Sequence, residues 1–266
     1  MKFQMLRVGG QELHVGVRRG ASDFPPLLIF NGAGANIELL MPFIDQLEQV
    51  EVIVFDIPGV GGSPAPLLPY RLRQMAWLAD SLLTRLGYQG QVDVMGISWG
   101  GALAQQFARS CARRCRRLVL AATTAGAIMV PGNPAVTVKL ASPRRYYDSG
   151  YLQKVGGKIY GGAYRDNPQL LSEHGQHIRP PGGRGYLYQL LALVGWTSAW
   201  WLPTLKQPTL VLAGADDPIV PVVNGRLLAS LIPKAHLEVL PCGHLFIVSR
   251  AQETARLVQN FLQEAK

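Results

Sequence analysis

Val92-Asp93-Val94-Met95 runs directly into Gly96-Ile97-Ser98-Trp99-Gly100, and Ala102-Leu103-Ala104-Gln105-Gln106-Phe107-Ala108 follows. The first four residues favour an extended chain, and the last seven are good helix formers. Between them stands Gly-x-Ser-x-Gly, the pattern of a nucleophile elbow. In such a strand–turn–helix junction the serine is held in a strained conformation with its hydroxyl exposed above the sheet edge. Glycines on either side remove Cβ atoms that the turn would crowd. A bare Gly-x-Ser-x-Gly also occurs in ordinary loops. Its place between a strand and a helix is what makes Ser98 the candidate nucleophile.

Outward from this junction the chain alternates short apolar runs with helical patterns. Pro26–Phe30, Val52–Phe55, Val92–Met95, Leu118–Leu120 and Thr209–Leu212 have the continuous apolar character of buried parallel strands. His236–Leu240 reads as one more strand. Leu39–Leu47, Met75–Leu86, Leu103–Ala112, Arg226–Leu231 and Thr254–Leu262 fill the gaps as helices. Phe3–Val8 and Glu12–Arg18, turned at Gly9-Gly10, read as an opening hairpin. The expected class is α/β, a mainly parallel sheet with helices on both faces.

The alternation breaks between Thr124 and Pro203, where Gly, Pro, Tyr, Trp and Arg abound and no strand run appears. The expectation is a core built from residues 1–123 and 204–266, with residues 124–203 inserted as a mostly helical lid over the carboxyl ends of the strands. Leu187–Val194 followed by Trp196, Trp200 and Trp201 suggests an apolar substrate-binding wall. An extra helical layer with its own small core is the plainer reading, and the two are compatible.

A serine hydroxyl needs a base. Of five histidines, His14 lies in the hairpin, His174 and His177 in the inserted span without a partner pattern, and His236 at the start of a strand. His244, in Cys242-Gly243-His244, follows a strand and precedes the last helix, so it would project over the edge where Ser98 points. The orienting acid should follow another strand there. Asp216-Asp217-Pro218 follows Thr209–Leu212, and Pro218 biases Asp217 toward an extended conformation. Asp217 is the candidate and Asp216 its competitor. For an oxyanion, Trp99 N–H lies at the start of a helix. Ala33 N–H lies in the flexible Asn31-Gly32-Ala33-Gly34-Ala35-Asn36 loop. A phosphate-binding reading of that loop lacks Gly-Lys-Ser/Thr or GxGxxG. Asp56 also follows a strand, where stabilising a turn is its expected role.

Composition excludes several classes. With 48% apolar and 16% charged residues, the 266-residue chain has the material for a large core and is not a disordered segment. No apolar run approaches the roughly 18–20 residues of a membrane span. The start, Met1 to Arg7, lacks a secretory h-region, so the cytoplasm is the expected compartment. Cys111, Cys115 and Cys242 read as free thiols, the first two on one helical face. No metal-ligand cluster and no cofactor motif is present. Much of the net charge of +9 is local, as in Arg113-Arg114-Cys115-Arg116-Arg117, read as a solvated helix end with a docking patch for an anionic surface as the alternative, and no nucleic-acid-binding module accompanies it.

Nearly the whole chain resembles the α/β-hydrolases and, more narrowly, the intracellular depolymerases of medium-chain-length polyhydroxyalkanoates. The resemblance runs through Leu27–Gly32, Asp56–Ser63, Ser98–Ala108, Ala141–Tyr146, Ile159–Gly162, Gly195–Ser198 and Gly243–Phe246. The order Ser98, Asp217, His244 is the triad order of that fold. Asn31 stands where many α/β-hydrolases have histidine, as it does in this subgroup. The resemblance implies ester hydrolysis in a stored polyester at a cytoplasmic granule, without cofactor. The partners implied are the granule or an apolar acyl ester, with other granule-surface proteins nearby. The rival readings are an esterase, thioesterase or transacylase for small soluble acyl substrates, and a catalytically silent granule-associated binding protein. Dehalogenase and epoxide hydrolase chemistry would need aspartate at position 98.

Overall fold

The apolar runs become the centre of an eight-stranded sheet in the computed structural model of the chain, which describes residues 1–21 and 24–264. The strands are β1 (Lys2–Val8), β2 (Gln11–Arg18), β3 (Leu27–Phe30), β4 (Val52–Phe55), β5 (Val92–Ile97), β6 (Cys115–Ala121), β7 (Thr209–Gly214) and β8 (Ala235–Leu240). Their order is β1-β2-β4-β3-β5-β6-β7-β8. The β1–β2 hairpin joins antiparallel, as does β2 on β4, and every other pairing is parallel. Strand order reverses at β3, which lies between β4 and β5. Open α/β sheets bind ligands outside the carboxyl ends of strands at such a switch point. The loops after β3 and β5 carry Ala33 and Ser98.

Period-two alternation along the buried strands sends side chains into two cores. Leu28, Phe30, Ile53 and Phe55 pack on one face with α2 (Leu72–Arg85), α3 (Trp99–Ser110) and α10 (Val222–Leu231). Leu27, Ile29, Val52 and Val54 pack on the other with α1 (Met41–Ile44), α11 (Phe246–Ser249) and α12 (Ala251–Gln263). Full burial of each such side chain contributes about 1.5–3 kcal/mol. In α2, Leu72, Met75, Ala76, Ala79, Leu82 and Leu83 recur every three or four residues and form its buried stripe. The helix expected over Leu39–Leu47 is shorter: a 3₁₀ turn at Ile37–Leu40 leads into the single turn of α1.

The arginine run is not a helix end. α3 stops at Ser110, Cys111 leaves helical geometry, and Cys115 opens β6, so the two cysteines do not share a helical face. Arg116 makes a bidentate pair with the buried Asp93 of β5, at 2.8 and 2.5 Å, and Arg114 meets Asp80 at 2.7 Å. These cations tie neighbouring elements together instead of forming a free surface charge. All three cysteines are buried and free. No described helix is long and apolar enough to cross a membrane.

Between β6 and β7 the chain forms α4 (Pro134–Ala141), α5 (Arg144–Tyr147), α6 (Ser149–Tyr160), α7 (Ala163–Asp166), α8 (Pro168–Gln176) and α9 (Gly183–Leu193). Asn133, Asp148 and Asn167 cap α4, α6 and α8, each side chain accepting a backbone N–H of the first turn. Val136, Leu152, Val155, Ile159, Tyr164 and Leu171 give the span its own small core. Close glycine contacts fix it to the sheet-borne loops, two of them glycine on glycine. A Cβ on Gly185 would stand 1.9 Å from the Gly59 carbonyl oxygen, and one on Gly162 would stand 2.2 Å from the Gly243 nitrogen.

Candidate active site

Ser98 joins β5 to α3 with φ 54° and ψ −116°, a conformation L-residues avoid, at a strain of about 1–3 kcal/mol. Hydrogen bonds hold it there: Ser98 N–H donates to Ala121 O (2.8 Å), and Thr123 Oγ1 donates to Ser98 O (2.7 Å). The flanking glycines follow from packing. A Cβ at Gly96 would lie 2.2 Å from Gly100 O, and one at Gly100 would lie 2.1 Å from Phe30 O. The backbone of α3 thus rests directly on the end of β3, and the serine is lifted into a cavity.

His244 and Asp217 are both buried and face each other, Nδ1 to Oδ2, at 2.7 Å. The other carboxylate oxygen, Oδ1, accepts Ile219 N–H and Val220 N–H, both at 2.9 Å. His244 N–H donates to Tyr160 O (2.7 Å), so the end of α6 helps to fix the histidine loop. Asp216 turns away, accepting Gly162 N–H (2.8 Å) and pairing with Arg165 (3.0 Å). The sequence left two adjacent carboxylates in play, and only Asp217 meets His244. No hydrogen bond joins Ser98 Oγ to His244, although both side chains line the same cavity.

Ala33 and Trp99 line that cavity as well. Trp99 is the first residue of α3, where an N–H has no intrahelical acceptor. Neither amide has an acceptor among the described residues. The inserted span braces the Ala33 loop from above: Tyr146 Oη donates to Ala33 O (2.5 Å), and Gly34 N–H donates to Gln189 Oε1 (2.7 Å). The Trp99 indole donates to Gln189 O (2.7 Å). Sequence reasoning missed Tyr146 and Gln189, because their partners lie 113 and 155 residues away.

The cavity holds about 550 Å³ and is lined mainly by apolar side chains, among them Leu39, Leu40, Met129, Leu140, Leu190, Leu193, Ile219, Ile247 and Val248. Its polar wall comes from Arg145, Tyr146, Tyr160, His174 and Tyr186 of the inserted span. The tryptophans expected there stand elsewhere. Trp196 donates to Gln106 (2.9 Å) and stacks edge-on with Trp201, which lies under Arg109, while Trp200 is 79% exposed. The indoles of Trp196 and Trp201 fill the seam between the span and α3. His174, passed over in the sequence for want of a partner, is buried against Tyr160 and Tyr164, and burial pulls its imidazole down to about 4, helped by His177 and Arg145. Asp56 and His14 pair at 2.8 Å away from the cavity lining, and Asp56 also accepts Ile37 and Gly62 N–H in the turn.

A sequence model described as alpha/beta hydrolase fold matches residues 25–159 and 159–251. The chain belongs to the α/β-hydrolase fold family. Within it, the chain is 50% identical over 265 residues to a poly(3-hydroxyalkanoate) depolymerase of Ectopseudomonas oleovorans, covering 99% of this chain and 93% of that one. A 3-oxoadipate enol-lactonase 2 of Acinetobacter baylyi is 26% identical, covering 88% of this chain and 86% of that one. Among solved structures, an enol-lactonase from Burkholderia xenovorans LB400 superposes with a TM-score of 0.84 at 26% identity, covering 98% of this chain and all of that one. The family resemblance read from the residues is borne out, as is the mainly parallel α/β architecture.

Proposed function

We propose that this α/β-hydrolase fold protein is a serine hydrolase that cleaves ester bonds of intracellular poly(3-hydroxyalkanoate) of medium side-chain length, through an acyl-serine intermediate. The observation that carries the chemistry is the buried His244–Asp217 contact at 2.7 Å in a cavity shared with the strained Ser98. A carboxylate only accepts, so Nδ1 bears the imidazole proton and Nε2 is left as the base. Ser98 Oγ attacks the ester carbonyl as His244 takes the hydroxyl proton. The Ala33 and Trp99 amides stabilise the oxyanion, each contributing a factor of about 10²–10³. The C–O bond to the alcohol breaks and His244 returns its proton to the leaving oxygen. Water then gives a proton to His244 and attacks the acyl-serine, releasing the acid and restoring Ser98.

Poly(3-hydroxyalkanoate) is the substrate class supported by the 50% identical depolymerase and by the apolar cavity lining. A cytoplasmic granule surface is the proposed location. Leu187, Leu191 and Val194, at i, i+4 and i+7 along and just past α9, are exposed together. Tyr188 Oη on Leu67 O brings the exposed Leu67-Leu68 pair beside the same helix. Hydrolysis of an emulsified medium-chain polyester by the wild type, lost in Ser98→Ala with the fold retained, is the expected result. Turnover of soluble esters or thioesters without polyester cleavage would favour the small-substrate readings. Transfer of the acyl group to an alcohol in place of water would favour a transacylase. Failure of a fluorophosphonate to label Ser98 would favour a silent binding protein.

A further inference from the structure

One charge faces the cavity without a counter-charge. Arg145, at the start of α5, is 4% exposed and lines the cavity with Ser98 and His244. No Asp, Glu or Lys lines it, and among the described residues no carboxylate pairs with Arg145. Its Nη1 donates to the carbonyls of Leu140 and Ser142 (3.2 Å each), and its Nη2 donates to the hydroxyls of Tyr146 (3.0 Å) and Tyr186 (3.1 Å). Its Nε is buried with no partner among the described residues. The neighbouring His174 offers no counter-charge in either protonation state, and burial together with Arg145 holds its pKa down at about 4.

A guanidinium removed from water is costly unless an anion approaches it, and an orphaned N–H adds to that cost. Neutral carbonyls and phenols orient the fork and stack on it, with the ring of Tyr146 4.3 Å from the guanidinium carbon. They leave its charge in place. The ligand class that completes such a site is a carboxylate, which supplies the missing negative charge and an acceptor for the one N–H that the carbonyls and phenols leave free.

We propose that Arg145 is a carboxylate-binding subsite of the cavity, taking the free carboxyl group of a 3-hydroxyalkanoate, whether the end of a chain or a released acid. This rests on the polyester-hydrolase reading, because ester cleavage is what brings carboxylates into this cavity. The apolar lining takes the alkyl groups, and Arg145 supplies the one fixed charge among the described lining residues. A free carboxyl is thereby told apart from an internal ester.

The test measures inhibition of wild-type hydrolysis of a neutral p-nitrophenyl ester by 3-hydroxyoctanoate and by its amide, which is isosteric and uncharged. The acid is expected to inhibit about 10–100-fold more strongly, the range of a charge-assisted hydrogen bond. In Arg145→Gln that ratio should fall to near one, a comparison made within the variant and independent of its own rate. Should Arg145→Gln fail to fold by circular dichroism, Arg145→Lys is read instead; keeping the charge without the fork, it should give an intermediate ratio. Equal inhibition by acid and amide in the wild type would overturn the proposal, as would an unchanged ratio in the variants. Hydroxyoctanoate oligomers with a free or a methyl-capped carboxyl end distinguish the two sources. Slower cleavage of the capped oligomer assigns the site to the chain end, and equal cleavage beside inhibition by the acid assigns it to the product. Failure to cleave any emulsified polyester would defeat the functional reading alone, since the acid-to-amide ratio is read on a soluble ester.

Discussion

The strand-end loops and the inserted span contribute to one cavity in opposite ways. The loops after β3, β5, β7 and β8 bring Ala33, Ser98, Asp217 and His244 to one edge of the sheet. The span brings none of the three residues proposed as nucleophile, base and orienting acid. It brings walls and braces: Tyr146 on Ala33 O, Gln189 on Gly34 N–H, and the Tyr160 carbonyl under His244 N–H. The sheet edge therefore sets what reaction is possible, and the span sets how firmly the reacting groups are held and what reaches them.

Changes at the sheet edge should lower rate with the fold intact. Asp217→Asn should cost about 10⁴ in kcat, because an amide lets His244 settle in the wrong tautomer; steady-state kinetics and an unchanged melting curve would check it. Changes in the span should instead move stability. Gly162→Ala sets a Cβ against the Gly243 backbone in a conformation with φ +50°, at a cost of about 2–5 kcal/mol by denaturant unfolding. Gly183→Ala at the start of α9, where a Cβ would meet nothing, should be neutral or stabilise by up to about 1 kcal/mol.

His174 makes the span sensitive to acid. Its pKa lies near 4 in the folded protein, against 6.5 ordinarily, so the unfolded chain binds the extra proton between those values. Stability from the neutral imidazole is complete above about pH 6.5. It is lost as pH falls toward 4, by about 3 kcal/mol in all. Melting temperature measured against pH should fall through that window in the wild type, and the fall should flatten in His174→Phe. The smallest effect is expected at Trp200, which stands out in solvent. Trp200→Ala should leave soluble-ester kinetics unchanged and stability within about 0.5 kcal/mol.

The same division explains what was legible in the sequence. The buried strands announce themselves locally as short apolar runs, and those of β3, β5 and β7 end in loops that carry Ala33, Ser98 and Asp217. Chain order alone then assembled Ser98, Asp217 and His244. Asp216 and Asp217 could be separated only by knowing that Gly162 and Arg165 come back to claim the first. The arginine run looked like a solvated helix end because Asp93, its buried partner, lies on a neighbouring strand. In the span, local pattern misled in a different way. Large indoles suggested a substrate wall, yet apolar bulk served equally well to fill the seam against α3. The polar part of the wall was built of Tyr, Arg and His residues, of which Tyr146 meets a loop 113 residues away.

Backbone touches backbone where Gly185 meets Gly59 and where Gly162 meets Gly243, and this separates two kinds of change open to the fold. Side chains facing the cavity from the span can be exchanged for larger, smaller or differently charged ones while both anchor points stay as they are. Transplanting the whole span onto another hydrolase is a different matter. Without glycine at both receiving turns, the recipient would hold it a side chain's width too far out, and its braces would miss the Ala33 loop and the His244 loop together.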